Sequence, residues 1–246
     1  MDYDAWNDMS SEYDNNVELN SDPVISGFIS EEIRIVSNLC KNLIKPDRKY
    51  TIIDMGSGTG RVLFALCSVL GNSISHCGLD ASMPMVQLSQ KKQSLMTDAD
   101  ISFLHHDVTD PDVGKLFDDD SVKIVMCMYN TIGVIPAKKR QQFFDSMVGL
   151  AGRDGMVLIS AFNGDDFSFA APKIYTPMKI MVKQIDENSF DEDLLAFKNK
   201  LGYYSQWFTK EQVLEMLHSE QMPIPIELSI GNETRTFGHI FSNRNI

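Results

Sequence analysis

Along the chain, short apolar runs rich in β-branched residues alternate with longer stretches whose apolar positions recur every three or four residues. The first pattern predicts buried strands, the second amphipathic helices packed on them. Strands are expected over 51–55, at HCGLD ending on Asp80, at ISFLHHDV ending on Asp107, over 121–130 (SVKIVMCMYN) and over 155–161, running on into Phe162-Asn163. Helical patterns fall between them: 61–70, stopped by Gly71; 82–95; and PAKKRQQFFDSMVGLA from Pro136. Upstream, Asp22-Pro23 supplies an N-cap and a first-turn proline for a core-facing helix through Val24, Phe28, Ile29, Ile33, Val36, Leu39 and Leu43. Strand and helix in alternation predict an α/β fold.

The pattern changes after Asn163. Residues 165–207 contain strand-like pieces, KIMVKQI and LLAFKNKLGYYSQWF, separated by the acidic DENSFDED, too long a stretch for a simple connection. Thr209 with Glu211 and Gln212 opens a last helix, FTKEQVLEMLHSE, by a near capping pattern. PIELSI and TFGHIFSN read as two closing strands joined around Gly231-Asn232, the final one antiparallel. At the other end, Tyr3, Trp6, Met9 and Tyr13 recur at helical spacing within residues 1–33, which carry nine carboxylates and no Lys or Arg. That is an amphipathic helix with an aromatic stripe, either docked on the core with its acids in water or lying as a lid over a site.

The chemistry gathers at YTIIDMGSGTGRVLFAL, residues 50–66. A buried strand with a carboxylate near its end leads into Gly56, Gly58 and Gly60, and a helix begins at Arg61. Side-chain-free backbone can turn this sharply and let a ligand lie against it, while a helix start aims unpaired N–H groups at an anionic group. A nucleotide-like ligand is expected. A dinucleotide fingerprint needs Gly or Ala three residues after its second glycine, where this chain has Arg61. A Rossmann-type oxidoreductase is therefore the weaker alternative. Asp54 would repel a pyrophosphate and attract a cationic amino-acid end.

The stretch Ile52-Ile53-Asp54-Met55-Gly56-Ser57-Gly58-Thr59-Gly60 resembles the first motif of the class I S-adenosylmethionine-dependent methyltransferases. An acid about 20 residues after the last glycine is expected to accept from both ribose hydroxyls, and Asp80 stands there. The resemblance implies a Rossmann-like sheet of seven strands, the last antiparallel, with helices on both faces, and S-adenosylmethionine as cofactor. It implies cofactor contacts from Asp54, Gly56, Ser57, Gly58, Gly60 and Arg61, from Asp80, Ala81, Ser82 and Met83, from Asp107 and Val108 toward adenine, and from Cys127 and Met128 near the methyl group. For Asp107 by itself, a turn or helix-cap residue is the competing reading.

Cys127-Met128-Tyr129-Asn130-Thr131-Ile132-Gly133 is similar to the Cys-x-x-Asn-Ser/Thr-x-Gly/Ala stretch of glycine-type and other small-amine N-methyltransferases. Tyr129 and Asn130 could orient an amine or carboxylate there; the alternative is a capping turn before Pro136. Tyr13 joins them as a catalytic candidate on the lid, with His239 as a weaker one. Tyr175, Tyr203, Tyr204 and Trp207 are candidate pocket walls or hairpin packing.

With 246 residues and 43% hydrophobic content the chain suits one domain: 1–45 as an N-terminal helical lid or cap, 46–162 as the cofactor-binding core, 163–208 as a substrate-pocket insertion and 209–246 as a C-terminal helix and closing hairpin. A net charge of −12 argues against nucleic acid as partner. The apolar runs are too short to span a bilayer and the N-terminus is acidic, so a cytoplasmic location without membrane attachment is expected. Cys40, Cys67, Cys77 and Cys127 lack metal-ligand spacing and should be buried reduced thiols; no metal is expected, His105 and His106 pointing to opposite faces of a strand. The expected acceptor is a small molecule and the expected reaction methyl transfer, to nitrogen rather than oxygen or carbon because no clear general base is in evidence. A non-catalytic cofactor-binding scaffold is the other reading, and monomer or homodimer is left open.

Overall fold

The computed structural model of the protein describes residues 4–71, 74–97, 99–117, 120–216, 226–229 and 235–244. Tyr3, the 217–220 end of the last predicted helix and the Gly231-Asn232 joint lie outside them. Five strands, β1 (Tyr50–Met55), β2 (Ser75–Asp80), β3 (Ile101–His105), β4 (Val122–Cys127) and β5 (Met156–Phe162), run parallel. A hairpin of β9 (Ile226–Ser229) and β10 (Thr236–Ser242) continues the sheet, with β10 antiparallel to β5. The order is β3-β2-β1-β4-β5-β10-β9. The chain reverses its direction of winding between β1 and β4, and ligands of open α/β sheets sit outside the strand ends at such a point.

Strands β1, β4 and β5 are buried on both faces, which is why they are apolar runs and not alternations. One face is covered by α2 (Pro23–Leu43) and α3 (Arg61–Leu70), the other by α6 (Ala137–Ala151). Helix α1 (Asp4–Asn16) lies at the top, packed against α4 (Met83–Gln93). Asp22 caps α2 by accepting from the N–H groups of Val24 and Ile25. All four cysteines are buried and free.

Three sequence expectations change. The third strand stops at His105, so Asp107 lies two residues beyond it, in a turn where its carboxylate accepts from the N–H and hydroxyl of Thr109. The fourth stops at Cys127, because Tyr129 and Asn130 adopt left-handed backbone (φ 51° and 58°) and turn the chain into α5 (Thr131–Val134). The piece KIMVKQI is not a strand. Its Met181 and Val182 are buried together with Met178 just before it, a spacing of three and four that only a helical turn brings to one side, and the chain forms α8 (Lys179–Val182).

The rest of the 165–207 stretch builds α7 (Phe167–Tyr175) and a small antiparallel sheet of β6 (Phe190–Asp191), β7 (Ala196–Lys198) and β8 (Tyr204–Gln206). Its core is aromatic: Tyr175 stacks on Phe197 with ring centroids 4.0 Å apart, and the Trp207 indole N–H donates to the Tyr175 hydroxyl. Thr209 and Gln212 exchange side-chain and backbone hydrogen bonds at the start of α9 (Lys210–Met216), the reciprocal pattern of a capping box.

Candidate active site

At the tips of β1, β2 and β4 the structure opens a cleft, where ligands of open α/β sheets bind. One end is lined by Gly56, Gly58, Asp80, Ala81, Ser82, Met85, Val108 and Thr109; the other by Trp6, Tyr13, Tyr129, Phe162, Tyr175, Met178, Met181, Tyr203 and Ser205.

The glycine loop explains the first end. Gly56 (φ 87°) backs directly onto the Thr131 side chain, and a Cβ on Gly60 (φ 85°) would stand 2.5 Å from the Phe103 ring. The loop N–H groups are engaged by the protein itself, contrary to the expectation that they face an anion. Gly56 and Ser57 both donate to the Leu79 carbonyl, and Gly60 to the Ser57 carbonyl. Gly58 donates to one oxygen of Asp80 at 2.8 Å, while the other oxygen accepts from the Ser82 N–H at 2.8 Å. A loop so occupied is no phosphate cradle. Asp80 instead offers the cleft the remaining lone pairs of a carboxylate fixed at both ends.

Asp54 lies one layer below the lining, 2% exposed, with its Oδ1 buried and unpartnered. Burial pushes its carboxyl from 3.8 up to about 7, Arg61 opposing the shift and Glu32 and Asp80 adding to it. Beside it, the fully buried Glu32 of α2 pairs with the Arg61 guanidinium at 3.1 Å and accepts from the Tyr129 N–H at 2.9 Å. Arg61 also sits 5.0 Å from the Tyr129 ring centroid. Nothing in the sequence pattern around Glu32 distinguishes it from a surface acid on an amphipathic helix; only the packing of α2 against α3 shows it.

Asn130 lines the cleft, but its amide is committed to structure. Its oxygen accepts from the Phe162 N–H, and its nitrogen donates to the Ser205 hydroxyl and the Gln206 carbonyl, tying the tips of β4, β5 and β8 together. Tyr129 and Tyr13 face the cleft. Of the expected cofactor residues, Gly56, Gly58, Asp80, Ala81, Ser82 and Val108 line it. Ser57, Gly60, Arg61, Cys127 and Met128 stand behind its wall, and Met83 is 44% exposed on α4. Asp107 is turned to Thr109 and to Lys139, 3.6 Å away. His239 lies away from the cleft on β10, and Tyr204 and Trp207 do not line it. Trp6 belongs to the aromatic stripe expected of a lid, and Thr109, Met178, Met181 and Ser205 are wall residues that the sequence motifs did not mark.

Helix α1 is latched across the cofactor end. The Ser82 hydroxyl donates to the Asn7 side chain at 2.7 Å, the Thr59 hydroxyl to Asp14 at 2.6 Å, and Lys92 pairs with both Asp14 and Glu18.

A parallel sheet in this order, closed by an antiparallel hairpin, with a glycine loop at the tip of β1 and an acid at the tip of β2, is the fold of the class I S-adenosylmethionine-dependent methyltransferases that the sequence resembles. Residues 52–155 match the family model described as a methyltransferase domain. The chain is 36% identical over 84 residues to carboxy-S-adenosyl-L-methionine synthase of Desulfotalea psychrophila, a match covering 33% of this chain and 34% of that enzyme, so it spans about a third of the relative's length. In fold it is similar to a methyltransferase of Anabaena variabilis (TM-score 0.64, 17% identity, 97% of this chain and 93% of that one). It is similar too to one of Clostridium acetobutylicum (TM-score 0.59, 13% identity, 96% and 97%). The residues present fit S-adenosylmethionine: a free buried carboxylate oxygen on Asp54, an unpartnered Ser57 hydroxyl and a glycine-lined floor beside Asp80. Among the described residues, no helix is long and apolar enough to cross a membrane.

The Asp54 environment carries a pH prediction. A carboxyl whose value is raised by folding binds its proton more tightly in the folded chain, so without ligand the stability it contributes is full below about 4 and lost as pH rises toward about 7. A cationic ligand end favours the ionised form and expels the proton. Affinity for S-adenosylmethionine should rise with pH through about 7 and level off above it. Calorimetry in two buffers of different ionisation heat should register proton release at pH 6.5, and a pH-independent affinity would contradict the assignment.

Proposed function

We propose that the protein transfers the methyl group of S-adenosylmethionine to a nitrogen of a small-molecule acceptor. The observation that carries this reading is the character of the acceptor end. Among the described residues lining it there is no His, Lys, Arg or carboxylate, and burial holds the hydroxyls of Tyr13, Tyr129, Tyr175 and Tyr203 protonated. An oxygen or carbon nucleophile wants a base within reach, whereas a neutral amine attacks without one and loses its proton to water afterwards.

The cofactor supplies an electrophilic methyl group on a sulfonium, so the protein's task is alignment, for which positioning can supply on the order of 7–11 kcal/mol. In this reading Asp80 accepts the ribose hydroxyls, Asp54 answers the amino-acid end, and Ala81-Ser82 with Val108-Thr109 border the base. Residues 1–45 cap the site, 46–162 form the core, and 163–208 form much of the acceptor wall. Tyr129, held by Glu32, and Asn130, holding β8, keep the two ends in register.

The test is transfer from labelled S-adenosylmethionine to panels of amines, phenols and carboxylic acids, read by mass spectrometry. Mass gain on amines is expected. Transfer confined to oxygen or carbon would reverse the choice of atom, and no binding of S-adenosylhomocysteine by calorimetry would remove the reading altogether.

A further inference from the structure

The acceptor end of the cleft has a chemistry of its own. Its walls are aromatic rings from three separate parts of the chain: Trp6 and Tyr13 on α1, Tyr129 and Phe162 at the tips of β4 and β5, and Tyr175 and Tyr203 from the 163–208 stretch. The rings brace one another. Trp6 meets Tyr203 edge-on at 5.3 Å, Tyr129 meets Phe162 at 5.4 Å, and Tyr175 meets Tyr203 at 6.3 Å. Met178 and Met181 fill the gaps. The polar groups are hydroxyls. That of Tyr175 accepts from Trp207, that of Ser205 accepts from Asn130, and that of Tyr129 is buried with no partner.

Charge is distributed one way. The nearest guanidinium, Arg61, lies behind Tyr129 and is answered by Glu32. Arg140, on the far side of β8, donates to the Ile135 carbonyl and to the Gln206 side chain. The carboxylate facing the cavity, from its other end, is Asp80; Asp54 and the Arg61-paired Glu32 are buried behind the wall. An anion entering here would lose its water, meet no cation in the lining and face Asp80; an ammonium group would meet aromatic rings and a favourable field.

Resting on the methyltransferase reading above, we propose that the acceptor is an amine with an apolar or aromatic body and no carboxylate or phosphate, its cationic form captured by the Trp6, Tyr129, Tyr175 and Tyr203 rings before the proton leaves. An amino acid such as glycine is excluded by the same walls. The lone hydroxyl of Tyr129 is the polar handle left for the amine or a substituent beside it.

The experiment uses the full chain saturated with S-adenosylhomocysteine and three probes of one shape: phenethylamine, phenylalanine and 3-phenylpropionate. Binding is followed by calorimetry at neutral pH. Phenethylamine should bind roughly tenfold or more tightly than phenylalanine, and 3-phenylpropionate should not compete with it. Tyr203→Leu should weaken phenethylamine binding several-fold, while Tyr203→Phe, which keeps the ring and drops the hydroxyl, should leave it within about twofold. Equal or tighter binding of either carboxylate probe overturns the proposal, as does failure of phenethylamine to bind at millimolar concentration. Failure here is separable from failure of the broader reading: methyl transfer to carboxylate-bearing amines would keep nitrogen as the acceptor atom and sink the charge rule. Phenethylamine binding with transfer confined to oxygen would do the reverse.

Discussion

Glu32→Ala is expected to lower the free energy of unfolding by about 3–5 kcal/mol, the usual loss when one partner of a buried ion pair is removed. The residue is wholly buried, and two groups depend on it: the Arg61 guanidinium at the start of α3 and the Tyr129 N–H in a left-handed turn. Without the carboxylate both are left desolvated and unanswered, and Arg61 already carries two buried N–H groups, Nε and Nη1, without a protein partner. Glu32→Gln keeps acceptor capacity toward Tyr129 and should lose less. The double change Glu32→Leu with Arg61→Met replaces the pair by apolar side chains of similar size and should recover much of the loss, since the penalty lies in the orphaned charge. Urea denaturation followed by circular dichroism measures all three; a loss under about 1 kcal/mol for the alanine variant would show that water reaches the pair.

Asp80→Ala should weaken binding of S-adenosylhomocysteine by ~1.5–3 kcal/mol, about ten- to a hundredfold, the range for hydrogen bonds to a charged group. The carboxylate holds the Gly58 and Ser82 N–H groups as well as facing the cleft, so its removal loosens the loop and, on the proposed reading, deletes the ribose acceptor together. Asp107→Ala makes the contrast. Its carboxylate is engaged by Thr109 and Lys139 and does not line the cleft, so affinity should change by no more than about threefold. Titration calorimetry on both variants reads the difference directly, and equal losses would place Asp107 in the cofactor site after all.

Asp80 and Asp107 differ in how far local geometry fixes a side chain. A strand tip followed at once by a helix cap leaves a side chain one direction to point, and Asp80 at the end of β2, just before the Ser82 cap of α4, obeys that geometry. Two residues past a strand the chain is free to turn, and an Asp-x-Thr sequence closes on itself. The same contrast separates the core from the 165–207 stretch. Parallel strands buried on both faces announce themselves as apolar runs, whereas KIMVKQI fits a strand or a helical turn equally until Met181, with Met178 before it, finds the cleft and Val182 the core.

What the sequence determined by itself was local: the strand–glycine loop–helix unit, the acid 20 residues on, the capped helices, and thereby the fold, because each depends on backbone conformation and on residues near in the chain. The tertiary structure alone decided which side chains meet. It placed Glu32 under Tyr129, turned Asn130 into a tie between three strands, and gathered rings from α1, the strand tips and the 163–208 stretch into one wall without a cation. Such meetings join residues tens of positions apart, and they are set by how whole elements pack, which no short-range pattern encodes.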